Sequence, residues 1–288
     1  MNTLSLTSDH FGNLWLRLVK HLLTEGHRTY PRGFSTREIL NVQLHLTDPY
    51  ASVLVNPVRN LSYRFMVAEW LWIYFGQDDV KTIERYNPNI AQFSDNGIDF
   101  NGAYGKAIEP HWERILNTLH NDKDSRQAVV SIYRAPTHAS KDVPCTIALQ
   151  WLIRDGCMHC TATMRSSDVW LGLPYDVFNF TMLTHTLSTT LRLPFTSFTI
   201  NLGSSHLYER NFAKASSAIT MPTTTNVMHQ FEASTIPSLL QQSLMGIDIN
   251  PQLLRSPWNH FHHLLHAPTN KKAYEILNDR LTESTKPS

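Results

Sequence analysis

Residues 143–151 are VPCTIALQW, and residues 164–176 are MRSSDVWLGLPYD. Between them stands Asp155-Gly156, a dipeptide typical of a tight turn between antiparallel strands. The sequence therefore predicts a hairpin of two strands, Cys145–Ile153 and Met158–Met164. The first of these strands begins at a cysteine that follows a proline.

This central block resembles that of the thymidylate synthase family. In that family a Pro-Cys pair opens a strand, and Arg-Ser-x-Asp-x-x-x-Gly-x-Pro-[Tyr/Phe]-Asn opens a long helix. The present chain keeps the pattern from Arg165 to Tyr175 and has Asp176 where the family has Asn. The resemblance implies one-carbon transfer to C5 of a pyrimidine nucleotide by a homodimer with shared active sites.

Outside this block, the sequence predicts helices and strands without regular βαβ alternation, which indicates an α+β class. The resemblance implies the thymidylate synthase fold, a mixed β-sheet packed with helices, and a dimer through the sheet. We expect a single domain over residues 1–288, with a disordered tail from about residue 283. The main predicted elements are helices over Asn13–Leu23, Tyr63–Phe75, Trp112–Leu119 and Val177–Leu191, strands over 128–133 and Phe198–Leu202, and a loop over 86–106.

Composition limits the partners. The formal net charge is +1 with no basic block, which argues against a nucleic-acid polymer. No apolar run approaches membrane-spanning length, so no membrane partner is expected. Three cysteines, an odd number, do not suggest a disulfide framework. We expect a cytoplasmic protein, located in the host cytoplasm if it is phage-encoded.

Cys145 is the candidate nucleophile. Buried structural cysteines are the commoner case, and the resemblance favours catalysis. It implies that the Cys145 thiolate adds to C6 of the pyrimidine, so that C5 can attack the methylene group of 5,10-methylenetetrahydrofolate. We expect a neighbouring cation, Arg165, to favour the thiolate near neutral pH.

The resemblance also implies residues that bind the nucleotide. Arg165 and Ser166 contact its phosphate, because a guanidinium presents a planar fork of donors. Arg126 matches an arginine that the family contributes from the second subunit, and Gln127 replaces the usual next arginine. Arg32 is the choice for a further phosphate ligand near the N-terminus.

Arg28 and Arg37 are rivals of Arg32 for that role. A predicted loop after the strand Phe198–Leu202 contains His206 and Tyr208. The resemblance implies that both side chains hydrogen-bond the sugar 3′-hydroxyl. The sequence leaves ribose and deoxyribose undecided.

Further residues have roles through the resemblance. Glu69 lies in an apolar helix, where an unpaired carboxylate is costly, and is expected to organise water and proton transfer near the base. Tyr104 is expected near Cys145. Asp168 is expected both in catalysis and in binding the folate cofactor. The other expected folate contacts are Gly172, Tyr175, Ile90 and Phe93.

Asp176 is the departure that selects the base. An Asn offers both a donor and an acceptor to uracil, whereas an ionised Asp only accepts and suits the N4 amino group of cytosine. The alternative is that Asp176 merely caps the helix that begins at Val177. The resemblance in this respect is to the cytidylate 5-hydroxymethylase branch, acting on dCMP or CMP.

Two other functions stay open: a thymidylate synthase-like C5 methyltransferase on dUMP or dCMP, and a catalytically idle nucleotide- or RNA-binding relative. The sequence favours hydroxymethylation, because Ile90 and Phe93 replace tryptophans usual near the folate and the C-terminus lacks the apolar closing tail. No metal site is expected. Cys157 and Cys160 are three apart on a strand, and the histidines between 260 and 266 have no cysteine or carboxylate partner.

Overall fold

A computed structural model of the chain describes residues 3–135, 139–226 and 236–283. The chain divides into two compact units. The first holds the described residues of Met1–Leu61, Trp112–Tyr133 and Cys145–Gln230, and the second those of Ser62–His111, Arg134–Pro144 and Phe231–Ser288. A single domain over the whole chain stays a prediction. The tail predicted to be disordered, residues 284–288, lies outside the described residues.

All the described strands belong to the first unit. Eight form one sheet in the order β1-β3-β9-β7-β6-β5, with β2 also beside β3 and β8 also beside β9, while β4 pairs with β10. Parallel pairs, such as β7 with β9, alternate with antiparallel pairs, such as β3 with β9, so the sheet is mixed. The strands are β1 (Leu4–Ser8), β2 (His27–Thr29), β3 (Thr36–Leu46), β4 (Val53–Val55), β5 (Val129–Ser131), β6 (Thr146–Arg154), β7 (Cys157–Met164), β8 (Ser167–Asp168), β9 (Phe195–Tyr208) and β10 (Thr224–Asn226).

Helices occur in both units. In the first unit, α1 packs on β3, and α6 packs on β7 and β9. A mixed sheet packed with helices confirms the predicted α+β class. The helices are α1 (Phe11–Glu25), α2 (Tyr63–Tyr74), α3 (Val80–Ile83), α4 (Gly105–Ile108), α5 (Trp112–Asn121), α6 (Leu173–Thr190), α7 (Phe212–Ala218), α8 (Ser238–Leu244), α9 (Trp258–Leu265) and α10 (Asn270–Glu283).

The predicted hairpin is present. β6 pairs antiparallel with β7, and Asp155 and Gly156 form the turn with φ of 51° and 73°. Two successive positive φ values are those of the tight turn that matches the twist of paired strands. The hairpin therefore brings Arg165, just after β7, back beside Cys145, just before β6, and the Arg165 N–H donates to the Cys145 carbonyl at 2.9 Å.

Two predicted boundaries are wrong. Helix α6 begins at Leu173 rather than Val177, because Pro174 sits in the first turn, where its missing N–H costs no hydrogen bond. Strand β9 continues to Tyr208 rather than ending at Leu202, because it pairs with β3 along one edge and with β7 and β8 along the other. His206 and Tyr208 thus lie on a strand and not in a loop.

The helices predicted before residue 120 are close to those observed, and the predicted loop over 86–106 contains a 3₁₀ turn at Pro88–Phe93. Strand β1 was not predicted, because a five-residue segment gains its stability from parallel pairing with β3. Within the described ranges, we find no helix with the length and apolarity needed to cross a bilayer.

The buried indole of Trp15 supports the turn that leads into α6. Its Nε1 donates to the carbonyl of Val169 at 2.8 Å, and its ring packs against Trp170 at 5.7 Å between centroids. We expect Trp15→Phe to lower the free energy of unfolding by about 1–3 kcal/mol, because the Val169 carbonyl loses its buried partner. Urea denaturation measures the difference. Phe11→Leu, which removes an aromatic ring from the same helix without removing a hydrogen bond, is the control.

Candidate active site

The thiol of Cys145 stands at the start of β6, in contact with the end of β7. Ser166 Oγ donates to Cys145 Sγ at 3.8 Å, and Arg165 Nη1 donates to Ser166 Oγ at 3.3 Å. The Arg165 carbonyl accepts from the Ser204 N–H of β9 at 3.1 Å, which fixes this corner of the sheet. The structure therefore brings Cys145, Arg165 and Ser166 together as predicted.

Burial raises the pKa of the Cys145 thiol above its usual value. The nearby Arg165 guanidinium and the Ser166 hydroxyl lower that pKa only in part, and the Asp176 carboxylate adds to the rise. Arg165 therefore acts on the thiol in the expected direction, while burial acts against it, and a thiolate favoured near neutral pH stays a prediction. The desolvation of a charged sulfur outweighs the effect of the two cations, Arg165 and Arg32.

Asp168 organises the turn between β8 and α6. Its Oδ1 accepts from the N–H groups of Trp170 at 2.8 Å and Leu171 at 3.0 Å, and its carbonyl accepts from the Gly172 N–H. Its Oδ2 is buried and has no hydrogen-bond partner among the described residues. Burial raises the pKa of this carboxyl. Because Oδ2 has no partner among the described residues, it can accept a hydrogen bond from a ligand that carries N–H groups.

Arg59 holds the same turn, and sequence reasoning missed it. Its Nε donates to the Trp170 carbonyl, and its guanidinium lies over the rings of Trp170 and Tyr175, 5.7 and 5.6 Å from their centroids. This contact fixes Tyr175 beside Gly172. No motif marks an isolated arginine in the stretch NPVRNLS, so this role is not predictable from the sequence.

Asp176 lies inside the first turn of α6, and the helix N-cap is Gly172. The backbone N–H of Asp176 donates to the Gly172 carbonyl at 3.0 Å, an ordinary intrahelical bond. The capping alternative for Asp176 is therefore wrong. Its carboxylate raises the pKa of the Cys145 thiol by charge repulsion.

His206 and Tyr208 project from the end of β9, with ring centroids 5.4 Å apart in an edge-on arrangement. His206 lies opposite Glu38 of β3 on one side and Asp168 of β8 on the other. Burial lowers the pKa of His206, and the two carboxylates oppose that shift only in part. The imidazole is therefore neutral at neutral pH and can both donate and accept a hydrogen bond.

Arg32 is the N-terminal arginine that reaches this group. Its Nη2 donates to Tyr208 Oη at 3.2 Å, and its charge acts on both Cys145 and His206. The two rivals have other contacts. Arg28 lies 4.0 Å from Glu209, and Arg37 donates to the Leu23 carbonyl and lies over the Phe212 ring.

Two comparisons place this arrangement among known proteins. The family model described as thymidylate synthase matches residues 13–245. This chain belongs to the thymidylate synthase family. It is 30% identical over 216 residues to a deoxyuridylate hydroxymethyltransferase of Bacillus phage SP01. The match covers 68% of this chain and 56% of that relative's length, so the chain spans little more than half of the relative.

Four other residues predicted for this thymidylate synthase family site belong to the second unit. Glu69 lies in α2, half-buried, and Tyr104 stands immediately before α4. Ile90 and Phe93 lie in the 3₁₀ turn Pro88–Phe93, where Phe93 is 53% exposed. Their proximity to Cys145 stays a prediction.

Arg126 is exposed, in the segment before β5, the last strand in the sheet order. Its carbonyl accepts from Gln150 Nε2 at 3.2 Å, which ties the segment to β6. Among the residues that the structure describes, Arg126 has no contact with those around Cys145. A role of Arg126 in the site of a second subunit stays a prediction.

The cysteines and histidines weighed as metal ligands have other surroundings. Cys160 is buried on β7, and its burial raises the pKa of its thiol to about 12. His262 Nδ1 and His266 Nε2 share the hydroxyl of Ser243, at 2.8 and 2.9 Å. Among the described residues, no group of three or more His, Cys, Asp or Glu side chains has a geometry suited to a metal ion.

The raised pKa predicts how Cys145 reacts. We expect its alkylation rate by iodoacetamide to rise with pH through and beyond the usual thiol pKa of about 8.5, without a plateau near neutral pH. Arg165→Ala should slow alkylation further, since it removes the charge that most favours the thiolate. The measurement is made in a Cys157→Ser background, so that Cys157 does not contribute to the alkylation signal. A rate that reaches a plateau near pH 7 would show that the Cys145 thiolate is stabilised and would contradict this prediction.

Proposed function

We propose that this chain is a cytidylate 5-hydroxymethyltransferase that acts in the cytoplasm. It converts dCMP or CMP, with 5,10-methylenetetrahydrofolate and water, to the 5-hydroxymethyl nucleotide and tetrahydrofolate. The observation that supports cytosine is the position of Asp176, an acceptor-only carboxylate beside the Cys145 thiol and not a helix cap.

Cys145 is the nucleophile in this proposal. Its sulfur forms a bond to C6 of the pyrimidine and loses its proton, while N3 of cytosine gains one. C5 then has carbanion character, which the unmodified base lacks. Burial disfavours the free thiolate, and the C6–S bond removes that charge again, so the desolvation cost falls on a short-lived species. Arg165 and Ser166 stabilise it.

Asp176 selects cytosine because a carboxylate only accepts hydrogen bonds. The N4 amino group of cytosine donates to it, whereas O4 of uracil would face it with lone pairs. Once Cys145 has added to C6, the neutral adduct presents its N3–H and its N4 amino group as two neighbouring donors, and this N3–C4–N4 group becomes a cationic amidinium when C5 forms its new bond to carbon. Asp176 binds this pair more strongly than the neutral base, so the interaction favours the transition state over the ground state.

The remaining nucleotide contacts follow from the same cluster. Arg165 and Ser166, with Arg32, form the phosphate site of one subunit. The neutral imidazole of His206 and the hydroxyl of Tyr208 hydrogen-bond the sugar 3′-hydroxyl. The family resemblance assigns water and proton transfer near the base to Glu69, and it assigns Tyr104 to the surroundings of Cys145.

The orphaned Oδ2 of Asp168 fits the folate, whose pterin ring carries N–H groups. Tyr175, fixed by Arg59, and Gly172 line the same turn. Ile90 and Phe93 complete the folate contacts. When bound, 5,10-methylenetetrahydrofolate supplies the one-carbon unit at the oxidation level of formaldehyde, which is the level of a hydroxymethyl product.

The name of the phage relative supports hydroxymethylation rather than methylation as the outcome. That relative acts on deoxyuridylate, so hydroxymethylation of dUMP is the second candidate function. The test is incubation of the protein and 5,10-methylenetetrahydrofolate with CMP, dCMP, UMP or dUMP, with the mass of each product as readout. A cytidylate gain of one hydroxymethyl group supports the first candidate, and a uridylate gain supports the second. A methylated product contradicts both.

A homodimer through the sheet is part of the proposal. In β7, buried residues alternate with half-buried polar ones. The half-buried residues of β7 share a sheet face with residues of β3 and β9. On this face polar side chains hydrogen-bond across strands, Gln43 to Asn201 at 3.0 Å and His159 to Ser197 at 2.7 Å. A polar face with hydrogen bonds across its strands suits association with a second copy, which would bring its Arg126 to the phosphate site.

Asp176→Asn tests the selection of the base. We expect preference to move from cytosine toward uracil nucleotides by at least tenfold in the ratio of kcat/KM values, because the amide offers the NH that O4 requires and no charge for protonated N3. Asp122→Asn, on an exposed loop, is the matched control. An unchanged ratio would remove Asp176 from base selection.

Arg126→Ala tests the shared site. We expect nucleotide affinity to weaken by about 1.5–3 kcal/mol, the scale of a charged hydrogen bond. Mixing it with Cys145→Ala protein should restore activity, because one of the two hybrid sites is intact. Mixing Arg165→Ala with Cys145→Ala is the control and should restore none, since both residues serve the same site. Absence of recovery despite subunit exchange would contradict the sharing.

A further inference from the structure

Glu38 is a carboxylate beside the proposed sugar contacts that no motif marks. It lies on β3 directly opposite His206 of β9. Its Oε1 accepts a hydrogen bond from Ser204 Oγ at 2.5 Å. Residues at alternate positions of a strand share a face, so Glu38 lies on the side of Ser204, His206 and Tyr208.

One oxygen of this carboxylate is held and the other is open. Ser204 fixes Oε1, while Oε2 receives no hydrogen bond from any residue that the structure describes. Glu38 is half-buried, and its charge acts on the His206 imidazole. A half-buried carboxylate oxygen without a protein donor is a binding position for a hydroxyl group, because the hydroxyl replaces the hydrogen bond that solvent supplies to it.

We infer that Glu38 hydrogen-bonds the sugar 2′-hydroxyl and makes the ribonucleotide, CMP, the preferred substrate over dCMP. This inference rests on the proposed function, because it takes His206 and Tyr208 as the ligands of the 3′-hydroxyl. The 2′-hydroxyl is the neighbouring substituent on the same ring. A carboxylate is also the group with which nucleotide-binding proteins commonly hold a ribose hydroxyl.

A deoxyribonucleotide provides no hydrogen-bond donor to replace the water that Glu38 loses when the nucleotide binds. Its C2′ carries only hydrogen, so binding would leave the Oε2 acceptor against an apolar group. Sites built to bond a hydroxyl reject the analogue that lacks it for this reason. The ribose preference therefore comes from both the bond gained with CMP and the desolvation left uncompensated with dCMP.

The test measures kcat/KM for CMP and dCMP in the wild-type protein and in Glu38→Ala. We expect the wild type to favour CMP at least tenfold, and Glu38→Ala to reduce the ratio to within about threefold of one. The change should come from CMP, while the dCMP value stays within a few-fold of wild type. Glu38→Gln, which keeps the size without the charge, should give an intermediate ratio.

Glu25→Gln is the matched control, because it removes an exposed carboxylate of α1 and should leave the ratio unchanged. A wild-type preference for dCMP, or a ratio that Glu38→Ala does not move, would overturn the role of Glu38. The same ribose-to-deoxyribose ratio is measured with UMP and dUMP, so that a failure of the cytosine assignment is separate from a failure of this inference. If no nucleotide reacts, the ratio of the dissociation constants for CMP and dCMP, in the wild type and in Glu38→Ala, tests the ribose preference in the same way.

Discussion

Strand β9 is the constraint on which the site depends. It pairs with β3 along one edge and with β7 and then β8 along the other. That double pairing places His206 between Glu38 and Asp168 and brings Ser204 to the Arg165 carbonyl. Each of the three neighbouring strands thus delivers one charged side chain to the same corner. A register shift of one residue in β9 would move all of these contacts to the other face together.

Burial and charge act against each other throughout this corner. Desolvation raises the pKa values of Cys145 and Asp168 and lowers that of His206, although oppositely charged groups stand nearby. Burial thus shifts each of these groups toward its neutral form. A partly desolvated site also strengthens each hydrogen bond to a ligand.

The sequence was informative where local chemistry decides the structure. Asp155-Gly156 determines its hairpin, and the Pro-Cys and Arg-Ser pattern indicated Cys145, Arg165 and Ser166 as neighbours, because turn and motif residues act within a few positions. The sequence was not informative where contacts with residues far along the chain determine the structure. The continuation of β9 to Tyr208 depends on β3, about 170 residues away, and Arg59 is 111 residues away from Trp170, which it contacts. Glu38 and the orphaned oxygen of Asp168 likewise become informative only once strand pairing is known.

Asp176 shows why position decides the interpretation of a substitution. As a cap, Asp and Asn would be equivalent, and the exchange would say nothing about substrate. The helix instead begins at Leu173 with Gly172 as its cap, so Asp176 is not the capping residue, and its carboxylate acts on the Cys145 thiol. A second negative group beside a buried sulfur is unfavourable for the thiolate. Such a cost is consistent with a gain elsewhere in the reaction, and a cationic cytosine adduct is a species that would supply it, whereas a uracil adduct, which develops negative charge at O4, would not.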